Sequence, residues 1–276
     1  ASELQEIDEF AKWVLDVGNG KLPAVAPNET EEKTWIKIPD DLLIECDEDH
    51  LPKIVESIYP NLIRNMADPE YLENRSILAP TNQSVKEIND YMIAMIPESD
   101  NYEAAVVLFP EEFLNDIETS GMPSHRLCLK EGVPIMLLRN LDQTEGLCNG
   151  TRMVVKHVGA HVIQATVLTG KATGKTVLIP RIVLAPTDTD HPFILRRRQF
   201  PLKVCFAMTI NKSQGQSLPN VGIYLDEPVF SHGQLYVAVS RTTTRRGLKI
   251  VIRDQDNGLE GYTRNMVYYE IFNNLA

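Results

Sequence analysis

Apolar residues at Leu4, Ile7, Phe10, Ala11, Val14 and Leu15 recur at helical spacing, and Gly18 and Gly20 end the run. Ser2 with Gln5 reads as a capping box ahead of them. The pattern predicts a packing helix without chemistry of its own. Residues 22–49 are rich in Pro and acid, with a short strand expected over 35–38; a second helix is expected over 50–59, stopped by Pro60. Residues 76–80 read as a short apolar strand. Thr81 and Asn82 follow it, and then a helix carrying Val85, Ile88, Met92 and Met95. Residues 98–124 are polar and show no period. From Leu127 the spacing changes to short β-type runs at 134–138, 151–155, 162–168 and 176–179, punctuated by Gly146, Gly150, Gly159, Gly170 and Gly174. Strands at this spacing with glycine turns predict a small all-β unit. Asn149-Gly150 is a tight-turn signal within it, with Arg139 and Asn140 read as turn residues. Further apolar runs follow at 205–208, 221–225 and 248–252, and residues 261–272 read as a closing helix.

Composition changes this picture little. The 276 residues suffice for one large core or two smaller ones. No apolar run approaches the roughly 18 residues of a membrane span, so no membrane association is expected. Cys46, Cys128, Cys148 and Cys205 lack CxxC spacing, which points away from a metal site or disulfide framework and toward a reducing compartment. The chain opens at Ala1 without a Met, which suggests a fragment or a processed chain.

Charge changes it more. The net charge of −11 argues against a nucleic-acid binder, but its distribution is uneven. Residues 1–60 hold 15 Asp and Glu against 5 Lys and Arg, whereas residues 196–253 hold 10 Lys and Arg against 2 acids. A local basic surface is the electrostatic footprint that a phosphate backbone requires. The alternative is a solvated face.

The candidate chemistry lies between Cys205 and Arg241. An apolar run leads into the polar loop Thr209-Ile210-Asn211-Lys212-Ser213-Gln214-Gly215-Gln216-Ser217; a second apolar run and a short helical segment ending on Ser240-Arg241 follow. Such a loop supplies hydroxyls, backbone N–H groups and a cation where α/β folds place ligands. Thr81 and Asn82 place polar groups at a helix N-terminus, which suits either a plain N-cap or a phosphate. Arg241 is either a surface arginine near a helix C-terminus or a phosphate ligand. His232 either touches phosphate or makes a hydrogen bond where the helix begins. Asp226-Glu227 reads as a strand-end pair. Residues 169–176 look like a phosphate-binding P-loop, but Thr169 stands where Gly is needed and a strand follows where a helix should. That segment is read as a hairpin turn. No nucleophile or metal-ligand constellation is visible.

The segments TINKSQGQ and YVAVSR, with ILAPTNQSVKEIN and PIMLLRNLDQTEGLCNGTRMVV, closely resemble superfamily-1 helicases. More narrowly, they resemble the 5′-to-3′ petite-integration-frequency (PIF-type) DNA helicases, including the helicase part of Helitron transposons. The resemblance implies an α/β fold: a RecA-like parallel sheet, the second motor domain, over residues 1–126 and 201–276. A β-barrel-like module would be inserted at 127–200, over the nucleic-acid channel. It implies single-stranded DNA held at its phosphates by Thr81, Asn82, Thr209, Asn211, Lys212, Ser213 and His232. Gly215, Gln216, Gln234 and Arg241 would face ATP, with Arg241 as the catalytic arginine finger. Asn89 is read as structural.

The P-loop lysine, the magnesium-holding acidic pair and the glutamine sensor of the family's first RecA-like domain are not found in this sequence. ATP and Mg²⁺ are therefore expected to bind with a missing N-terminal motor domain as partner, and this chain alone is not expected to hydrolyse ATP. The resemblance further implies an intracellular monomer with roles in DNA repair, recombination and telomere maintenance, placed in the nucleus, or else the mitochondrion, if the source is eukaryotic. The alternative function is a stand-alone nucleic-acid-binding module derived from a helicase, without ATPase activity.

Overall fold

The computed structural model describes residues 3–45, 49–97, 122–124, 127–185, 196–253 and 259–268. Along the chain come helix α1 (Glu3–Gly18), strands β1 (Ala24–Val25) and β2 (Trp35–Lys37), and helices α2 (His50–Ile58), α3 (Leu62–Asn65) and α4 (Pro69–Glu73). Strand β3 (Arg75–Ala79) and helix α5 (Asn82–Met95) follow. Strands β4 (Pro134–Leu137), β5 (Arg152–Val158), β6 (Val162–Val167), β7 (Thr176–Pro180), β8 (Ile182–Leu184), β9 (Arg197–Gln199) and β10 (Leu202–Val204) come next. The chain then runs through β11 (Ala207–Thr209), β12 (Asn220–Leu225), helix α6 (Gln234–Val239), β13 (Leu248–Ile252) and β14 (Tyr262–Arg264). Two compact units result: Ala1–Leu62 with Asn74–Ile88 and Ala207–Ala276, and Ile63–Glu73 with Asn89–Phe206.

The first unit is built on a parallel sheet in the order β11-β3-β12-β13. Its strands are near-continuous apolar runs, as parallel strands covered on their faces must be. Ile77, Leu78, Met208, Val221, Ile223 and Ile250 are fully buried. Helix α2 lies on β12 through Ile54 and Ile58, so closely that a Cβ on Gly222 would stand 2.7 Å from an Ile58 side-chain carbon. Only glycine allows that approach.

A second, antiparallel sheet in the order β1-β2-β14 corrects the expected closing helix. Tyr262, Thr263 and Arg264 pair with Lys37, Ile36 and Trp35. The apolar residues after Gly261 suit a helix locally. The edge of β2 nevertheless recruits them as a strand, burying Thr263. Asn265 fixes the exit: its backbone N–H donates to the Thr34 carbonyl at 2.7 Å and its side-chain amide to the Val17 carbonyl at 2.9 Å. The remainder of that expected helix, from residue 269, and Ser2 of the capping box lie outside the described residues, as does Cys46.

The second unit holds an antiparallel sheet in the order β10-β4-β5-β6-β7 and a β8-β9 ribbon. The glycine-punctuated strands of the sequence thus pair as one antiparallel sheet, in a unit that also holds α3, α4 and the second half of α5. Residues 169–176 make the turn of the β6-β7 hairpin, and Gly150 takes its turn with φ +93°. This unit reaches beyond 127–200 because Arg152 ties an earlier segment to it. The arginine is fully buried, and its guanidinium donates to the carbonyls of Leu72 at 3.0 Å and Glu73 at 3.1 Å. These are the last carbonyls of α4, where a cation is favoured. Lys130 does the same for α5, donating to the carbonyls of Ile96 at 2.6 Å and Ile93 at 3.2 Å. Asn89 is structural: it is buried, and its Oδ1 accepts the Phe206 backbone N–H at 3.0 Å.

Candidate nucleic-acid and nucleotide interface

The parallel strands β3, β11 and β12 end on the same edge of their sheet, and the residues that follow them form the candidate site. After β3, Thr81 caps α5: its Oγ1 accepts the Ser84 backbone N–H at 3.1 Å. The Thr81 and Ser84 hydroxyls share a further hydrogen bond. Ser84 Oγ also lies 2.8 and 2.7 Å from the two carboxylate oxygens of Asp226, just after β12. A consistent proton arrangement runs one way: the Thr81 hydroxyl donates to Ser84, and the Ser84 hydroxyl to Asp226. The Thr81 side chain therefore serves the cap, while Asn82 and Gln83 in the first turn are exposed. Sequence reasoning missed Ser84. A hydroxyl residue three positions after a Thr cap was the available signal.

After β11 the loop opens with a 3₁₀ turn over Ile210–Ser213. Asn211, Lys212, Gln214 and Gly215 are exposed, and Thr209 is half-buried. Ser213 is placed differently from its expected phosphate role: it is fully buried, and its hydroxyl donates to the Ile210 carbonyl at 2.7 Å. Gly215 takes φ +81°, the left-handed region that favours glycine. It brings Gln216 back so that its backbone N–H donates to the Ser213 carbonyl at 3.0 Å.

Arg241, after α6, reaches this loop. Its Nε donates to the Val237 carbonyl at 2.7 Å and its Nη2 to Ser240 Oγ at 2.8 Å. Its Nη1 donates to the carbonyls of Ser213 at 3.2 Å and Gln216 at 3.0 Å. The Arg241 backbone carbonyl accepts the Leu218 N–H at 2.8 Å. Burial lowers the guanidinium pKa from its ordinary value and nearby Tyr236 opposes this; the group stays cationic.

Gln234 and His232 are structural in this arrangement. Gln234 is 2% exposed, and its Oε1 accepts the backbone N–H groups of Phe230 at 3.0 Å and Ser231 at 3.3 Å, holding the turn before α6. His232 Nδ1 accepts the Tyr268 N–H at 3.0 Å, and the two rings stack with centroids 5.4 Å apart. The site thus brings together Thr209, Asn211, Lys212, Gly215, Gln216 and Arg241. Thr81 and Asn82 stand on the neighbouring strand end. Among the described residues no group of three or more His, Cys, Asp or Glu side chains gathers to hold a metal, and no helix is long and apolar enough to cross a membrane.

Comparison with known proteins finds Pif1-type helicases. A family profile described as "DNA helicase Pif1, 2B domain" matches residues 112–158. The ATP-dependent DNA helicase Pif1 of Bdellovibrio bacteriovorus is 27% identical over 199 residues, which cover 72% of this chain and 44% of that protein. The ATP-dependent DNA helicase PIF1 of Xenopus laevis is 32% identical over 186 residues, covering 63% of this chain and 27% of that protein. The crystal structure of a Bacteroides Pif1 helicase in complex with ADP-AlF3 and single-stranded DNA shares the fold, with a TM-score of 0.52 and 21% identity over 88% of this chain and 57% of that one. The chain is thus similar in sequence and in its α/β fold to Pif1-type DNA helicases, and it spans less than half the length of the curated relatives it matches.

Proposed function

We propose that the chain is the C-terminal motor domain of an ATP-dependent 5′-to-3′ DNA helicase. It grips single-stranded DNA at the phosphates and supplies Arg241 to ATP bound by an N-terminal motor domain. The observation that carries this reading is the placement of one cation-bearing loop, 209–217, at the carboxyl edge of the parallel sheet, with Arg241 bonded to its back. Exposed Asn211, Lys212 and the first turn of α5 supply donors that read a phosphate backbone without regard to base. A motor that advances along a strand requires such indifference.

ATP fits the residues present in part. The Arg241 guanidinium suits phosphoryl oxygens, and such arginines contribute about 10³–10⁵ in rate. Gln234, turned inward, is better suited to shaping the helix start than to touching the nucleotide. Mg²⁺ is assigned to carboxylates of the partner domain. The working protein is a monomer inside the cell, in the nucleus or else the mitochondrion if its source is eukaryotic, and it acts in repair, recombination and telomere maintenance.

The test is fluorescence anisotropy of labelled oligothymidine titrated with this chain at low and moderate salt, beside Lys212→Ala. Binding that weakens with salt and drops in the variant is expected. Salt-insensitive binding, or an unaffected variant, sinks the grip. Joining the chain to a P-loop motor domain and assaying DNA-stimulated ATP turnover with Arg241→Ala tests the arginine.

A further inference from the structure

We infer that Arg241 has a second task as the strap of the DNA-facing loop, and that this task and its task at the nucleotide exclude each other. The inference rests on the reading of 209–217 as the grip and of Arg241 as a phosphate ligand, and adds how the two are coupled.

A guanidinium carries five N–H groups. The Nε hydrogen is committed to Val237, both Nη1 hydrogens to Ser213 and Gln216, and one Nη2 hydrogen to Ser240. One hydrogen on Nη2 remains. A two-point fork on a phosphoryl group needs two parallel N–H groups. The end-on fork, Nη1 with Nη2, takes a hydrogen from a loop carbonyl. The side-on fork, Nε with Nη2, takes Nε from Val237 and swings the head group away from the helix. Either way the group leaves the position from which Nη1 reaches both carbonyls.

The loop would not come free as a whole. The bond from the Leu218 N–H to the Arg241 backbone carbonyl does not involve the guanidinium and persists. The Ser213 hydroxyl stays on Ile210. The Gln216 N–H also stays on the Ser213 carbonyl, so the turn through Gly215 keeps its shape and what loosens is its anchorage to the end of α6. Lys212 stands beside Ser213. Engagement of a nucleotide by Arg241 therefore relaxes the strand grip, and its release restores the grip.

The experiment uses this chain without nucleotide, as wild type, Arg241→Ala, Arg241→Lys and Lys212→Ala. Hydrogen exchange of peptides covering 210–218 and 220–225 is measured beside oligothymidine anisotropy. Loss of two charge-assisted bonds should raise exchange within 214–217, at the Gln216 N–H bonded to Ser213, about tenfold or more in Arg241→Ala. Exchange in β12 should stay at the wild-type level, and oligothymidine affinity should fall several-fold. Lysine does not rescue, because one ammonium on a flexible stem cannot bracket two loop carbonyls and the helix at once. Arg241→Lys thus stands in if the alanine variant fails to fold. Unchanged exchange at 214–217 with β12 protected overturns the strap, even where Lys212→Ala loses binding and upholds the grip. Faster exchange with no oligothymidine binding by any form overturns the grip, and the proposed coupling with it.

Discussion

Residues 169–176 and 209–217 both carry Gly, Lys and Thr, and the fold uses them differently. The first connects the antiparallel strands β6 and β7. Its donors turn back on the hairpin: Thr173 Oγ1 donates to the Gly170 carbonyl at 2.7 Å, and Lys175 pairs with Glu145 at 2.8 Å. The second leaves the carboxyl end of a parallel strand, where neighbouring strand ends bring further donors to the same edge. Its cation, Lys212, is exposed, and its carbonyls are held from behind by Arg241. Composition alone does not separate the two. Strand direction on either side does.

Glycine substitutions give the largest effects and sharpen the comparison. Gly174 and Gly215 both have positive φ, +83° and +81°, with nothing within 4 Å of an added Cβ. Valine at either position should destabilise by about 1–2 kcal/mol through backbone strain alone, measured by urea unfolding. Only Gly215→Val should also weaken oligothymidine binding; equal loss in Gly174→Val would erase the distinction. Next come the lysines. Lys212→Ala should reduce the salt slope of binding by about one, and Lys175→Ala should leave it unchanged. Thr81→Ala removes the α5 cap and should lower stability by about 1 kcal/mol, with Thr81→Ser restoring it.

The smallest effect lies in an ion pair that touches neither loop. Arg245 Nε and Nη2 donate to the Asp41 carboxylate at 2.6 and 2.7 Å, and this hydrogen bonding holds the Asp41 pKa below 3.8. A depressed carboxylate pKa stabilises the fold above the unfolded value, and that contribution disappears as pH falls through the folded one. Because Asp41 is largely exposed, Asp41→Asn should lower stability by only about 0.5 kcal/mol at pH 7. The difference should close below the ordinary carboxylate range. A gap that persists in acid would assign the loss to packing.

The strands of the parallel sheet and strands β4 to β7 were legible because their apolar runs are local signals. The hairpin at 169–176 was legible because a strand follows it. What escaped notice depends on partners distant in the chain. Tyr262 to Arg264 carry no mark of the β2 edge that makes them a strand. Ser84 gains its importance from Asp226, and the arginine in Thr151-Arg152-Met153-Val154 gives no hint of the helix end that it meets. Ser213 and Gln234 look like ligand groups by residue type. Their inward turn is decided by backbone groups within four residues, which residue type does not show.

The buried Arg152 has a consequence for how the β unit can be handled. A fragment cut at 127 and 200 would lose the last turn of α4, and with it the Leu72 and Glu73 carbonyls that accept from the guanidinium, two bonds to a charged group worth about 1.5–3 kcal/mol each. The β unit is therefore not a cassette that can be lifted from one gene and spliced into another at two joints. It travels with Ile63–Glu73, a passenger encoded upstream of β3, and with β10, which pairs with β4. Recombination that separates the pair should yield chains that proteases clear before they fold.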